Sequence, residues 1–99
     1  MTYTIKQLPQ FSCWLKGLKD SLTRQRLIKR LRKVSLGNLG DVAAVGSGVF
    51  EMREHFGADW RMYYVLRGRT VVIMLGGGDK STQPSDIQMA MDLANSLEG

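Results

Sequence analysis

Polar side chains that can bind and cleave a phosphodiester alternate along two stretches, VFEMREHF and WRMYYVL, which we predict to be strands. Because alternate residues of a strand share a face, the pattern predicts one face that carries Glu51, Arg53, His55, Arg61 and Tyr63. Arginine engages two phosphate oxygens at once, and glutamate, histidine and tyrosine can transfer protons. The set therefore predicts metal-independent cleavage of RNA, with fixed cations stabilising the charge on the phosphoryl group.

The same residues also allow a simpler interpretation. Glu51 can pair with Arg53 or Arg61 across the strands and only solvate the sheet. A single histidine near a strand end is often a surface residue, and Tyr63 can be a packing residue. Both interpretations stay open on the pattern alone.

The stretch MLGGGDKSTQPSDIQMA, which starts at Met74, looks like a phosphate-binding loop but does not match one. That motif needs glycine directly before the lysine and another five places earlier. Here Asp79 precedes Lys80, and Met74 takes the place of the first glycine. We therefore predict a strand, a flexible glycine turn and a helix start, with Lys80 at the rim of the polar face.

Composition places the chain among ordinary globular proteins. Its 99 residues, 43% hydrophobic and 23% charged, predict a single domain with one core. The lone cysteine, Cys13, is expected to be buried or half-buried. No cluster of histidine, cysteine or carboxylates predicts a metal or another cofactor. The sequence contains no signal peptide or membrane-length apolar run, so we expect a cytoplasmic protein without membrane contact.

Charge is distributed unevenly along the chain. The first forty residues hold nine basic residues and one acidic residue, whereas the remainder is net acidic. The second helix of a predicted helical hairpin, from Leu22 to Leu36, carries cations outside its apolar stripe that we expect to bind RNA: Arg24, Arg26, Lys29, Arg30 and Lys33. A polyanion, an acidic protein or water alone can each account for such a face.

The elements that position these residues follow from hydrophobic period. YTIKQ predicts a strand, apolar residues from Phe11 to Leu36 repeat with helical spacing, and three strands then alternate with short turns. Ser85 and Asp86 open a short C-terminal helix that ends near Gly99. The predicted class is α+β: a twisted, mainly antiparallel sheet with the helical hairpin on one face.

Four segments carry a resemblance to a known family: FSCWLKGLKD, RLIKRLRKVSLGNLGDV, VGSGVFEMREHFGADWRMYYVLRG and GGGDKSTQPSDIQMA. Together they resemble the addiction-module killer proteins, a HigB-like branch of the RelE/ParE toxin superfamily, from about Phe11 to Ala94. The resemblance implies a RelE-like fold and a helix-turn-helix antitoxin as partner. It also implies cleavage of messenger RNA on the ribosome, whereas the ParE branch inhibits DNA gyrase on the same fold.

By position, Arg53, Arg61 and Lys80 match basic residues of this family, and the glycines before Lys80 would leave room for a substrate backbone. Departures also occur: Ala43 and Trp60 replace a lysine and a tyrosine that are common in relatives. The lysine pair of better-known members is missing, and Glu51 stands near one of those positions. The sequence therefore predicts a messenger-RNA endonuclease toxin, with a gyrase inhibitor or an inactive RNA-binding module as alternatives.

Overall fold

The computed structural model describes residues 1–97, which form a five-stranded sheet between two helical layers. The elements in chain order are β1 (Thr4–Gln7), α1 (Pro9–Lys16), α2 (Ser21–Ser35), β2 (Val42–Gly46), β3 (Val49–Glu54), β4 (Trp60–Arg67), β5 (Val71–Asp79) and α3 (Gln83–Leu97). The strand order is β1-β5-β4-β3-β2, with β1 parallel to β5 and the other pairs antiparallel. The predicted α+β class with a mainly antiparallel sheet is confirmed.

Local chemistry fixes where these elements begin and end. Pro9 occupies the first turn of α1, where its missing N–H costs nothing. The Asp20 carboxylate caps α2 by accepting a hydrogen bond from the backbone N–H of Leu22 at 3.2 Å. Between β2 and β3, Ser47 and Gly48 both have positive φ, as a type I′ hairpin turn requires. That tight turn sets the register that carries the polar residues of β3.

The first core lies between the sheet and the two N-terminal helices. It combines inward residues of α1 and α2 with alternate residues of the strands: Phe11, Leu15, Leu27, Leu31, Val34, Met52, Met62, Tyr64, Val72 and Met74. The helical period of the sequence predicted most of these contacts. It was wrong for Leu22, Ile28 and Leu36, which belong to the apolar pattern but are exposed. Cys13, expected to be buried, is also exposed.

The second core lies on the opposite face, under α3. It contains Val49, Tyr63, Val65, Leu75, Ala90 and Ala94. The sequence predicted a short helix starting at Ser85, but α3 starts at Gln83 and has 15 residues, as many as α2. The predicted end near Gly99 lies outside the described residues. The polar face of the sheet is therefore largely covered by α3.

The three glycines before Lys80 belong to β5 and do not form the predicted flexible turn. A Cβ atom at Gly77 would lie 2.4 Å from the Trp14 ring, and one at Gly78 would lie 2.0 Å from Oδ2 of Asp86. Both distances are far below van der Waals contact. Glycine is needed here because α1 approaches one face of β5 and α3 approaches the other, rather than to admit a substrate backbone.

Candidate active site

The polar residues predicted for one face do meet on neighbouring strands. In the antiparallel pair β3–β4, Glu51 is the register partner of Tyr63, and Arg53 is the partner of Arg61. On the other side of β4, Arg61 pairs with Gly78 of β5. Because cross-strand partners lie on the same face of a sheet, all four side chains belong to the face on which α3 packs.

Arg61 is buried, with 6% of its surface exposed, yet it lacks a counterion. Its Nη1 donates a hydrogen bond to the carbonyl oxygen of Trp60 at 3.1 Å, while its buried Nε has no hydrogen-bond partner. Within residues 1–97, no carboxylate oxygen lies within 4.0 Å of its guanidinium. Buried charges in proteins are normally paired. Arg61 is therefore a fixed cation that can accept an anionic ligand.

Glu51 and Tyr63 are also buried, but they differ in their partners. The Glu51 carboxylate accepts a hydrogen bond from Nε2 of Gln83 at 2.9 Å, which ties β3 to the first turn of α3. The Tyr63 hydroxyl has no partner. Burial, and next the negative charge of Glu51, raise the pKa of Tyr63 far above its usual value. Tyr63 therefore stays protonated near neutral pH, and its hydroxyl keeps a hydrogen to donate.

Asp41 joins the two remaining residues of the predicted set. Its Oδ1 accepts hydrogen bonds from Nη2 of Arg53 at 2.8 Å and from Nε at 3.2 Å, while Oδ2 lies 2.7 Å from Nε2 of His55. The hydrogen bonds from Arg53, and then from His55, lower the pKa of Asp41 to about 2, and the same contact with Asp41 raises the pKa of Arg53. His55 itself is exposed. A carboxylate that orients an accessible imidazole is the arrangement of a general base.

Sequence analysis did not single out Asp41, and the turn at Ser47 would not have located it. That two-residue turn pairs Gly46 with Val49, a register that would put Asp41 opposite Glu54. An irregularity between Ala44 and Gly46 shifts the pairing by one residue, so Val42 pairs with Met52 and Asp41 falls opposite Arg53. The backbone agrees with this register, because the N–H of Arg53 donates to the carbonyl oxygen of Asp41 at 2.9 Å.

Lys80 lies at the edge of the cluster and not inside it. It starts a short 3₁₀ turn, Lys80–Thr82, and is exposed. Asp79 caps this turn, since its carboxylate accepts a hydrogen bond from the Ser81 N–H at 2.8 Å. Among residues 1–97, the Lys80 ammonium makes no hydrogen bond or ion pair. Lys80 is thus free to reach a ligand at the rim.

One residue of the predicted basic face, Arg30, is not exposed on that face. Arg30, predicted to point outward, is 93% shielded from solvent and forms an ion pair with Glu54. Its guanidinium also donates to the carbonyl oxygens of Leu39, Asp41 and Arg53 at 2.8–2.9 Å. These carbonyls lie where the chain enters β2 and leaves β3, and the Asp41 oxygen also accepts the backbone N–H of Arg53. Arg30 therefore links α2 to the sheet.

The other cations of α2 vary in how far they are engaged. Arg24 donates to the carbonyl oxygen of Leu18 at 2.6 Å and so closes the connection between α1 and α2. The guanidinium of Arg26 lies 3.9 Å from the centre of the Phe56 ring, a cation–π contact. Lys29 and Lys33 are exposed and line a cavity of about 190 Å³ together with Glu54. This cavity adjoins the strand that carries Arg53.

No group of histidine, cysteine and carboxylate residues within residues 1–97 has the geometry to hold a metal ion. In the same residues, no helix is long and apolar enough to cross a membrane. The arrangement thus consists of a buried unpaired arginine, a carboxylate–imidazole pair, a protonated tyrosine and a free lysine. Chemically it can bind a phosphate group and move a proton with side chains alone.

Known proteins resemble this chain in sequence and in fold. Residues 13–96 match the family described as "Phage derived protein Gp49-like (DUF891)". An uncharacterized protein of Haemophilus influenzae is 39% identical over 97 residues, which cover 98% of each chain. Among solved structures, a mutant of the Escherichia coli toxin RelE in the free state superposes with a TM-score of 0.70. That match covers 92% of this chain and 95% of RelE at 16% identity, so it concerns the fold.

Proposed function

The chain belongs to the phage-derived Gp49-like family, and from this premise we propose that it is the toxin of a type II toxin–antitoxin module that cleaves messenger RNA on the ribosome. Its fold matches that of the toxin RelE, and its polar cluster contains the groups that RNA cleavage needs. A helix-turn-helix antitoxin would be its partner, in a toxin–antitoxin hetero-oligomer. Since a fold hosts more than one activity, the site carries the argument.

The observation that carries this proposal is the buried, unpaired guanidinium of Arg61. A charge without a counterion at 6% exposure is costly to keep unless a ligand neutralises it. A scissile phosphate supplies that counterion, and the negative charge on it grows in the transition state. Arg53, held in place by Asp41, and the free Lys80 would complete the set of phosphate-binding cations.

Proton transfer is assigned to the accessible groups. His55, oriented by Asp41, would take the proton of the 2′-hydroxyl, which then attacks the adjacent phosphorus as the 5′-oxygen leaves. Lys80 would donate the proton to that leaving oxygen, whereas the Tyr63 hydroxyl is fully buried and takes no part in this step. Glu51 is engaged by Gln83, so we assign it to holding α3 on the sheet instead of to proton transfer. The products of this step are a 2′,3′-cyclic phosphate and a free 5′-hydroxyl. The step needs neither a metal ion nor an attacking water molecule.

The exposed cations of α2 would bind ribosomal RNA. Arg26, Lys29 and Lys33, with Arg24 at the helix start, remain in this role, whereas Arg30 is withdrawn from it because it is buried. Phosphate contacts of this kind release counterions, so ribosome binding should weaken as salt rises. Cosedimentation with ribosomes at two salt concentrations measures this dependence.

Expression of the chain without its antitoxin tests the function. We expect translation to stop and messages to be cut inside coding regions, with the Arg61→Ala variant, expressed at the same level, as the inactive control. Sequencing of the 5′ ends of cellular RNA locates the cuts. Intact messages with accumulating DNA breaks would contradict the proposal.

A second candidate is an inhibitor that binds gyrase without chemistry. Two observations favour it: Glu51 is occupied by Gln83, and the Tyr63 hydroxyl lies buried under α3. Both leave fewer groups available for catalysis than the sequence predicted. The accumulation of DNA breaks in the same expression experiment would support this candidate.

A further inference from the structure

The basic helix α2 also exposes large apolar side chains. Leu22, Ile28 and Leu36 are 69%, 49% and 70% exposed. Across residues 1–97, just two other large hydrophobic residues, Met1 and Met89, are exposed to this degree. Single exposed apolar residues are common, but a group of them on one helix marks a binding surface.

Two of the three residues border a groove along the outer side of α2. The groove has a volume of about 420 Å³ and is lined by Gln25, Ile28, Lys29, Arg32, Lys33 and Leu36. Ile28, Arg32 and Leu36 follow one another at intervals of four residues, so they form a line along the helix roughly 12 Å long. An apolar residue thus lies at each end of the line, and cations lie between and beside them.

The cations of this groove are available. Among residues 1–97, the side chains of Lys29, Arg32 and Lys33 make no hydrogen bond or ion pair, and α2 contains no acidic residue. The surface therefore combines uncompensated positive charge with unburied apolar area. Its complement is a surface that carries negative charge beside apolar side chains.

We propose that this outer face of α2, which we call the α2 groove (Gln25, Ile28, Lys29, Arg32, Lys33 and Leu36), binds an acidic amphipathic helix of a protein partner. RNA phosphates would neutralise the lysines and Arg32 but would leave Ile28 and Leu36 in water. A helix with leucines facing these two residues buries their apolar surface, while its flanking glutamates meet the cations. The apolar residues therefore favour protein over RNA.

Given the proposed function, on which this step rests, the antitoxin supplies that helix. Lys29 and Lys33 line both the α2 groove and the cavity beside Glu54, which adjoins the strand of Arg53. A helix in the groove would occupy the cations that we assign to ribosomal RNA. Antitoxin and ribosome would then exclude each other at α2, which neutralises the toxin without any contact to Arg61.

A binding experiment with a defined probe tests the groove. The probe is a fluorescent 15-residue helical peptide with leucines at intervals of four residues and glutamates beside them. A peptide of the same composition with its leucines spread around the helix is the control ligand. Fluorescence anisotropy should show that the full-length protein binds the first peptide at least about tenfold more tightly than the second.

Matched variants locate the binding. Ile28→Ser with Leu36→Ser should weaken peptide binding at least about tenfold, while Met89→Ser, which removes an equally exposed apolar side chain elsewhere, should change it less than about twofold. All three side chains are solvent-exposed, so thermal melts of the variants should match that of the unmodified protein. A short single-stranded RNA should bind the double variant and the unmodified protein alike.

Failure of the peptide to bind the unmodified protein, or equal binding by the double variant, would overturn the inference. Loss of RNA affinity with unchanged peptide affinity would assign the surface to RNA instead. The peptide assay needs no catalysis, so its failure is distinguishable from failure of the proposed function. If the double variant still cuts messages in cells while the peptide does not bind, the groove is wrong and the nuclease stands.

Discussion

Arg53 and Arg61 lie directly opposite each other on β3 and β4, as register partners on the face under α3. Like charges at such positions destabilise a sheet unless something neutralises them. Asp41 neutralises Arg53 through two hydrogen bonds, whereas Arg61 keeps an unpaired charge. A phosphate group bound beside them would supply the missing counterion, and the predictions below start from this asymmetry.

Replacing Arg61 tests the phosphate site. We expect Arg61→Ala to lower cleavage by about 10²–10³-fold, the usual effect of losing one preorganised donor to the transition state. Two effects on the free energy of unfolding oppose each other: the substitution removes a buried charge that has no ionic partner, but it also leaves a cavity where the side chain packed. We therefore expect the variant to remain folded. Single-turnover cleavage in a translation extract and urea unfolding measure the two effects. Arg69→Ala, at an exposed turn residue, is the control and should keep full activity.

The pair of Asp41 and His55 tests proton transfer. His55→Ala should lower cleavage by about 10²-fold or more, as expected for the loss of a general base. Asp41→Asn should lower it less, because it weakens the orientation of His55 and the hold on Arg53 but leaves both groups in place. Asp92→Asn, at an exposed carboxylate on α3 that accepts a hydrogen bond from Gln88, is the control and should keep full activity. An Asp41→Asn protein with unchanged cleavage would disprove the pairing.

Acid stability should also report on Asp41. Its pKa in the folded protein is about 2, below its usual value of 3.8, so its stabilising contribution is present above about pH 4 and is lost as the pH falls towards 2. The difference in urea midpoint between the unmodified protein and Asp41→Asn should therefore be constant from pH 7 to about 4 and shrink below that. The pKa values of Asp20 and Asp79 are also lowered, but both proteins share these residues, so their effects cancel. A difference that persists at pH 2 would contradict the assignment.

Arg30 should matter for stability, in contrast to its neighbours on α2. Arg30→Met keeps the length of the side chain but removes the ion pair with Glu54 and the hydrogen bonds to the carbonyl oxygens of Leu39, Asp41 and Arg53, so we expect a loss of about 3 kcal/mol. Lys29→Met, one position away and exposed, should cost about 0.5 kcal/mol or less. The free energy of unfolding in urea distinguishes the two. Equal losses would mean that the buried contacts of Arg30 are not formed.

The glycines of β5 offer a matched pair of substitutions. Gly77→Ala would place a methyl group against the Trp14 ring and should destabilise the protein by about 1–3 kcal/mol through overpacking. A methyl group at Gly76 would meet nothing within 4 Å, so Gly76→Ala should be neutral or slightly stabilising. Thermal unfolding of both variants checks this. Equal melting temperatures would show that Trp14 does not pack on Gly77.

Much of the fold could be predicted because local patterns agreed with the tertiary contacts. Alternation along VFEMREHF and WRMYYVL assigned Met52 and Met62 to one face and Glu51 and Tyr63 to the other, as observed. Tertiary contact overrode local pattern at the glycines: a flexible turn was expected, but pairing with β4 keeps Gly76 to Gly78 extended. The local sequence around Tyr63 also contains no signal that α3, which begins at Gln83, covers the polar face of the sheet.

The candidate site was predictable in composition but not in connectivity. The two-residue period of the strands was enough to predict that Arg53 and Arg61 lie on the same face of the sheet. The hydrogen-bond partners of the site residues could not be predicted in this way. Asp41 reaches Arg53 because an irregularity in β2 shifts the register, and Gln83 reaches Glu51 from the helix that covers the face. Arg30 was misplaced because its position on α2 looks as exposed as that of Lys29 until the carbonyls of the β2 entry are located.

The parallel pairing of β1 with β5 has a consequence for how the protein is made. Thr4 pairs with Val71, so the N-terminal strand stays unpaired in the sheet until nearly the whole chain has been synthesised. Strand β5 also contributes Met74 to one core and Leu75 to the other, so neither core can close before it appears. Such long-range pairing slows folding and delays it past the emergence of α1 and α2. A protein that we propose to attack translation thus gains its working structure only when its own translation is nearly over.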